Sequence, residues 1–311
     1  MIEASAVQVV GLGRRFGAVV AVDDLTFTVA PGELFGLLGP DGAGKTTTLR
    51  MLAGVLRPTS GDAFINRVSV VEHPEATKHQ IAYMSQRFGL YGDLTVLENL
   101  TFYADLYEVP YHERPARMER LFHFSNLGPF QHRLAGKLSG GMKQKLGLSC
   151  ALIHQPQVLL LDEPTFGVDP ISRRDLWLIV HDMVAQGVTV VVSTAYMDEA
   201  ERFDRLAVLH QGRLLALDFP SALQEARHGE VLAVQVDRPR AARDLALQLP
   251  SVLRAAIFGD RLHVTLRDRG EDAEHLRSTL TSGGMTVTGI DPIVPSMEDV
   301  FIALVAEGNA A

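Results

Sequence analysis

The chain has 311 residues, enough for one large domain or two moderate ones that each bury a core. Its 47% hydrophobic and 21% charged content excludes a disordered chain, and a formal net charge of −8 with no Lys/Arg-rich block argues against a nucleic-acid partner. The single cysteine, Cys150, excludes an internal disulfide framework and fits a reducing compartment; its apolar neighbours make it a small buried hydrophobe.

In chain order, no secretory signal is expected at the N-terminus, where no basic region precedes a long apolar segment. Strands are expected over residues 6–10, in pieces over 18–29, and over 33–38. The alternation of Thr26, Phe27, Thr28 and Val29 ends at the turn signal Pro31-Gly32. Leu49, Leu52, Ala53 and Leu56 predict a helix over 45–56, stopped between Pro58 and Gly61. Residues from about 90 to 155 read as mainly helical, most clearly over 94–107 and 115–124. A strand over 158–161, a helix over 171–185 closed by Gly187, and a strand over 188–193 follow. The two apolar runs here are far shorter than the roughly 20 residues that cross a bilayer, so work at a membrane would need a partner. Alternating strands and helices predict a mostly parallel α/β sheet.

Composition shifts near Pro220, which divides the chain into domains at 1–220 and 221–311. The second reads as strand 231–236, helix 240–249, strands 252–258 and 262–267 turning at Gly259-Asp260, helix 272–282, strand 285–290 and a last helix 296–306. That order predicts a small α+β domain of ferredoxin-like type. Ser296 and Asp299 resemble a capping box.

The segment Gly39-Pro40-Asp41-Gly42-Ala43-Gly44-Lys45-Thr46 fits the phosphate-binding pattern G-x-x-x-x-G-K-[ST], with a buried strand before it and the helix that starts at Lys45 after it, and Thr47 is a further candidate nucleotide contact. Glycines let backbone N–H groups curl around a phosphate, and a helix start adds a favourable partial charge. Lys45 would reach the β- and γ-phosphates of ATP, and the Thr46 hydroxyl would ligate Mg²⁺.

Five further segments carry a family resemblance. Leu138-Ser139-Gly140-Gly141-Met142-Lys143-Gln144 resembles the signature sequence of ABC ATPases, with Met142 where the most familiar form has Gln. Val158 to Leu161 followed by Asp162-Glu163-Pro164 resembles the Walker B strand. Gln86 matches the Q-loop, Gly167-Val168-Asp169-Pro170 resembles the D-loop, and Phe16 stands where the family stacks an aromatic ring on adenine. The resemblance, over about residues 6–220, implies a P-loop ABC ATPase domain: a mostly parallel sheet core, an antiparallel β subdomain and a helical subdomain.

It also implies roles. Asp162 would hold Mg²⁺ through its water shell, and Glu163 would be the general base for the attacking water. Gln86 would touch both the metal and the water. In the family, Ser139, Gly140 and Gly141 face the γ-phosphate held by a second subunit, with Asp169 beside them, so a homodimer or a heterodimer with a second ABC ATPase domain is implied.

Two positions depart from the pattern. Ala195 stands where a histidine should contact the γ-phosphate, and Asp41 replaces the usual Asn of the loop. Losing one preorganised donor costs about 2.7–4 kcal/mol in the reaction, or 10²–10³ in rate. Either the site is degenerate and pairs with a competent partner, or Glu163 suffices and a homodimer turns over slowly. The same two departures, with the stretches 127–130 and 135–145, are similar to the first half of tandem bacterial ABC exporter ATPases.

The segment Tyr91–Leu100 and the tail 295–301 resemble the ATP-binding subunits of ABC-2 type exporters, which act with membrane permease subunits at the cytoplasmic face of the inner or plasma membrane. Phe88, Leu90 and Tyr91 are candidate contacts to such a permease, with packing inside the helical subdomain the alternative for each. The tail domain is similar to the C-terminal extension of drug-resistance members, with assembly or regulation as its implied role. A non-transport ABC ATPase of repair or translation is the competing class, but no basic linker or zinc spacing supports it. His79, His112, His123 and His132 read as solvated surface, and Trp177 as core.

Overall fold

A computed structural model describes residues 5–86, 89–226, 231–267 and 273–308. The described chain divides into two compact units, residues 1–217 and 218–311.

In the first unit, β1 (Val7–Phe16) and β2 (Val19–Val29) form a hairpin. The strand β3 (Leu34–Leu38) leads into α1 (Lys45–Leu52), followed by β4 (Ser60–Ile65), β5 (Val68–Ser69), α2 (Pro74–Lys78) and β6 (Ile81–Met84). Three helices come next: α3 (Val96–Leu106), α4 (Arg114–Ser125) and α5 (Gly140–Leu152). The unit closes with β7 (Val158–Asp162), α6 (Pro170–Ala185), β8 (Thr189–Thr194), β9 (Arg205–His210) and β10 (Arg213–Asp218).

Two sheets result. Strands β2-β1-β4-β5 pair antiparallel, and a six-stranded sheet runs β10-β9-β3-β8-β7-β6. Within the latter, β9, β3, β8, β7 and β6 are mutually parallel. All five residues of β3 and of β7, and all six of β8, are buried, as expected of strands covered on both faces. Each apolar side chain sealed there contributes about 1.5–3 kcal/mol. Cys150 is fully buried, and burial pushes its thiol pKa up, so it is inert packing.

The second unit has α7 (Pro220–Glu225), β11 (Val231–Val236), α8 (Pro239–Ala246), β12 (Val252–Phe258), β13 (Arg261–Leu266), α9 (Ala273–Ser282), β14 (Val287–Pro292) and α10 (Met297–Gly308). Its antiparallel sheet runs β12-β13-β11-β14, the βαββαβ arrangement of a ferredoxin-like domain. The Ser296 hydroxyl accepts from Asp299 N at 3.2 Å, while Asp299 Oδ2 accepts from Ser296 N at 3.1 Å, completing the capping box.

Several boundaries differ from the sequence expectation. The pieces expected over 18–29 are one strand, because register shifts in the hairpin absorb the charged interruption at Asp23 and Asp24. The helix expected over 45–56 ends at Leu52: Gly54 takes φ 67°, and Leu56 packs on the core from outside the helix. The last strand starts at Val287 rather than 285, since Met285 is already packed in the core of the second unit. Asp272, expected to begin a helix, lies outside the described residues.

Candidate nucleotide-binding site

The register brings three strand ends together: Leu38 of β3 lies beside Thr194 of β8, and Asp162 of β7 beside Ser193. The loop after β3, the acids after β7 and the segment after β8 therefore open at one edge, the carboxyl edge where open α/β sheets bind ligands. A cleft of about 360 Å³ lies there, lined by Val19, Val20, Ala21, the loop residues Asp41 to Thr47, Gln86 and Glu163.

Gly44 caps α1 at φ 99°, a left-handed conformation, and a Cβ there would sit 2.7 Å from the Ala21 carbonyl oxygen. The glycine keeps the loop pressed against β2 and its backbone open. Lys45 is 4% exposed, and its ammonium donates to the carbonyls of Gly39 (2.8 Å) and Pro40 (3.1 Å). It also pairs with Glu163 Oε1 at 3.1 Å, and Gln86 Nε2 donates to Glu163 Oε2 at 2.9 Å. The carboxylate of Glu163 is thus held between a cation and an amide. Its backbone has φ 47°, a left-handed value that is costly for a non-glycine residue and clusters at functional sites.

Asp162 is 1% exposed. Its Oδ1 accepts from Thr46 Oγ1 (2.9 Å) and Ser193 Oγ (2.8 Å), and its Oδ2 accepts from Tyr83 OH (3.3 Å). Burial, reinforced by the Asp162 carboxylate, pushes the Tyr83 phenol up to about 12. The Ser193 hydroxyl also accepts from Glu163 N at 3.0 Å, so one serine orients both acids. One carboxylate and one hydroxyl make a hard-oxygen donor pair that leaves room for waters, the set Mg²⁺ prefers. Gln86 faces Glu163 rather than this donor pair.

The remaining expected residues lie around this centre. Gly39 and Pro40 take part through their carbonyls. Asp41 and Gly42 are exposed, and Ala43 is buried. Phe16 does not line the cleft; it is 47% exposed in the hairpin beside it, with the Arg14 guanidinium 4.6 Å above its ring. Ser139 caps α5, accepting from Met142 N at 3.3 Å, and is exposed together with Gly140. Gly141 is buried against α6, where a Cβ would meet Ser172 Oγ at 2.1 Å. None of these three signature residues lines the cleft. Asp169 caps α6 through Ser172 N at 3.0 Å, a bond that holds its carboxyl below the usual range. Ala195 is half-buried just beyond β8.

Phe88 lies outside the described residues. Tyr91 is 45% exposed, with its backbone N–H on Asn99 Oδ1 and its ring edge-on to Phe102. Ser193 and Tyr83 belong to no motif, and their only sequence signal is a place near the ends of apolar strands. His79, His112, His123 and His132 are all exposed, and no metal-ligating cluster of three or more His, Cys, Asp or Glu occurs among the described residues.

Comparison with known proteins agrees with this geometry. The ABC transporter family matches residues 22–166, and the C-terminal domain of DrrA1-3-like ATP-binding proteins matches residues 220–305. The chain is 36% identical over 302 residues to the Nod factor export ATP-binding protein I of Rhizobium leguminosarum bv. viciae, covering 96% of this chain and 94% of that protein. The chain belongs to the ABC transporter ATP-binding family. This ABC cassette is also 44% identical over 300 residues to the probable multidrug ABC transporter ATP-binding protein YbhF of Escherichia coli (strain K12), over 94% of its own length. It spans 51% of that relative, about half its length. Among solved structures, an ATP-binding subunit of an ABC transporter superposes with TM-score 0.66 at 30% identity, over 71% of this chain and 93% of that one. The ADP conformation of another ATP-binding cassette gives TM-score 0.62 at 25% identity, over 68% and 90%. No helix among the described residues is long and apolar enough to cross a membrane.

Proposed function

We propose that this chain is the ATP-binding subunit of an ABC-type membrane exporter. It holds MgATP in the loop Gly39–Thr46 and closes against a second ABC ATPase domain. That motion drives separate membrane permease subunits at the cytoplasmic face of the membrane. The observation that carries the reading is the hydrogen-bonded constellation Lys45, Glu163, Gln86, Asp162, Thr46 and Ser193 at one sheet edge, of which Lys45, Glu163, Asp162 and Ser193 are buried. A cation, a base, an amide and a metal-type donor pair at one sheet edge are the parts that phosphoryl transfer to water requires.

The residues divide the work as follows. Phosphate oxygens compete with Glu163 for the Lys45 ammonium, which frees the carboxylate. Glu163 then takes the proton of a water that attacks the γ-phosphorus, the bond to ADP breaks, and phosphate leaves. Gln86, already on Glu163, orients that water. Thr46 and Asp162 would hold Mg²⁺, which supplies charge neutralisation on the phosphates. Ser139, Gly140 and Gly141 do not line the cleft, which supports their use on the nucleotide of a partner.

A second reading rests on Ala195: the chain is the regulatory half of an asymmetric pair, binding ATP while its partner supplies most of the turnover. The C-terminal unit would serve assembly or regulation in both readings. The test is equilibrium binding of MgATP to the purified chain, together with co-purification of a multi-span permease expressed from a neighbouring reading frame. Absence of nucleotide binding defeats both readings. Binding without a permease partner defeats the exporter assignment.

A further inference from the structure

Beside Ala195 lies a further buried carboxylate, outside the lining of the cleft. Glu199 is 1% exposed and lies in the short 3-10 segment Met197–Arg202 that follows β8. Its Oε2 accepts from the Thr194 hydroxyl at 2.7 Å, and its Oε1 accepts from the indole Nε1 of Trp177 at 3.2 Å. Thr194 Oγ1 accepts in turn from Tyr196 N at 3.0 Å, and Glu199 N donates to the Tyr196 carbonyl at 3.2 Å. Residue 195 is therefore enclosed by hydrogen bonds made entirely by its neighbours. From the α6 side, Arg173 places its guanidinium 4.5 Å over the Tyr196 ring and its Nε 3.9 Å from Glu199 Oε1.

Following these bonds in both directions gives one continuous path. At the loop end, Thr46 and Ser193 share Asp162 Oδ1; Ser193 is joined by one peptide bond to Thr194; Thr194 and Trp177 share Glu199. At the far end, α6 is tied to the signature helix by the Lys145–Asp175 ion pair and by the contact of Gly141 with Ser172. A buried carboxylate that loses a hydrogen-bonding partner is expensive, so the arrangement resists piecemeal disruption.

We infer that Glu199 is a positioning residue: it fixes residues 194–196 at the phosphate edge and couples them to α6, so that Trp177 senses nucleotide in the cleft. The inference rests on the nucleotide-binding reading above. Its first consequence is that Ala195 removes a side chain without loosening the backbone that would carry one. Its second is an optical handle, because Trp177 is the only tryptophan of the chain and its N–H bonds directly to Glu199.

The experiment titrates the full chain with MgATP, following binding by calorimetry and Trp177 emission in parallel. The wild type should show an emission change on the same saturation curve as binding. Thr194→Val should bind with a Kd within about twofold of wild type, yet lose about threefold or more of the emission response; Thr194→Ser should keep it. Glu199→Gln should behave as Thr194→Val does, which guards against a single variant that fails to fold. A role confined to packing would change stability without separating Kd from emission. Binding with no emission change in the wild type, or an undiminished response in Thr194→Val, overturns the inference. Absence of binding overturns the functional reading and this inference with it.

Discussion

The loop and helix after β3 and the end of β7 carry Lys45, Asp162 and Glu163, each buried and each hydrogen-bonded or ion-paired. The end of β8, joined to them in register, carries Ala195. The first region has what is needed to hold a triphosphate and to take a proton from water. The second lacks the donor that would meet charge developing on the γ-phosphate, although its hydrogen-bonded frame is intact. On the proposed function, binding and turnover rest on neighbouring but separable segments. Asp41, exposed at the mouth of the cleft, adds a carboxylate on the binding side without displacing the Lys45 contacts.

Substitutions can break this contrast from either side. The largest expected effect is that of Glu163→Gln, which keeps the size of the side chain but removes the base: turnover falls about 10²–10⁴-fold while MgATP stays bound. Size exclusion in ATP should then show the chain retained as a dimer, or with its partner domain. Lys45→Ala follows. It leaves Glu163 buried and unpaired, at a stability cost of about 3–5 kcal/mol in denaturant unfolding, and weakens nucleotide binding about 10²-fold by calorimetry. Gly141→Ala sharpens the comparison at the signature helix: its Cβ would overlap Ser172, so unfolding stability drops by about 1–3 kcal/mol as α5 is pushed from α6.

The smallest effect belongs to Tyr83→Phe, which removes one hydrogen bond to Asp162 and costs about 1 kcal/mol near neutral pH. It also carries a pH signature. Burial raises the phenol from its ordinary 10 to about 12, so the folded state favours the protonated form. That stability is fully present below pH 10 and is lost as pH rises toward 12. Wild type should therefore lose stability over this window more steeply than Tyr83→Phe in urea titrations at stepped pH.

Most of the site was legible because its parts are local in sequence. The glycine loop, the acids after an apolar run and the signature helix are each set by a few consecutive residues and the strand or helix beside them. What escaped notice depends on register. Ser193 reaches both acids only because β8 pairs with β7 one residue from Glu163, and sequence spacing does not report that pairing. Trp177 was read as core, and it is 1% exposed, but its indole N–H to Glu199 spans 22 residues and has no local signature. Phe16, whose place in the sequence pattern points to the adenine, is 47% exposed in the hairpin beside the cleft. In the fold, helix and strand identities were legible from periodicity, and the errors lay at ends where an apolar residue packs without continuing its element, as Leu56 and Met285 do.

The separation of binding from turnover is tested most directly by measuring kcat and the MgATP dissociation constant for wild type and Ala195→His side by side. Restoring a donor to a frame that Glu199 already holds should raise kcat by up to about 10²–10³-fold while the dissociation constant stays within about twofold. Equal turnover in the two proteins, or a gain that comes wholly from tighter binding, would contradict the account.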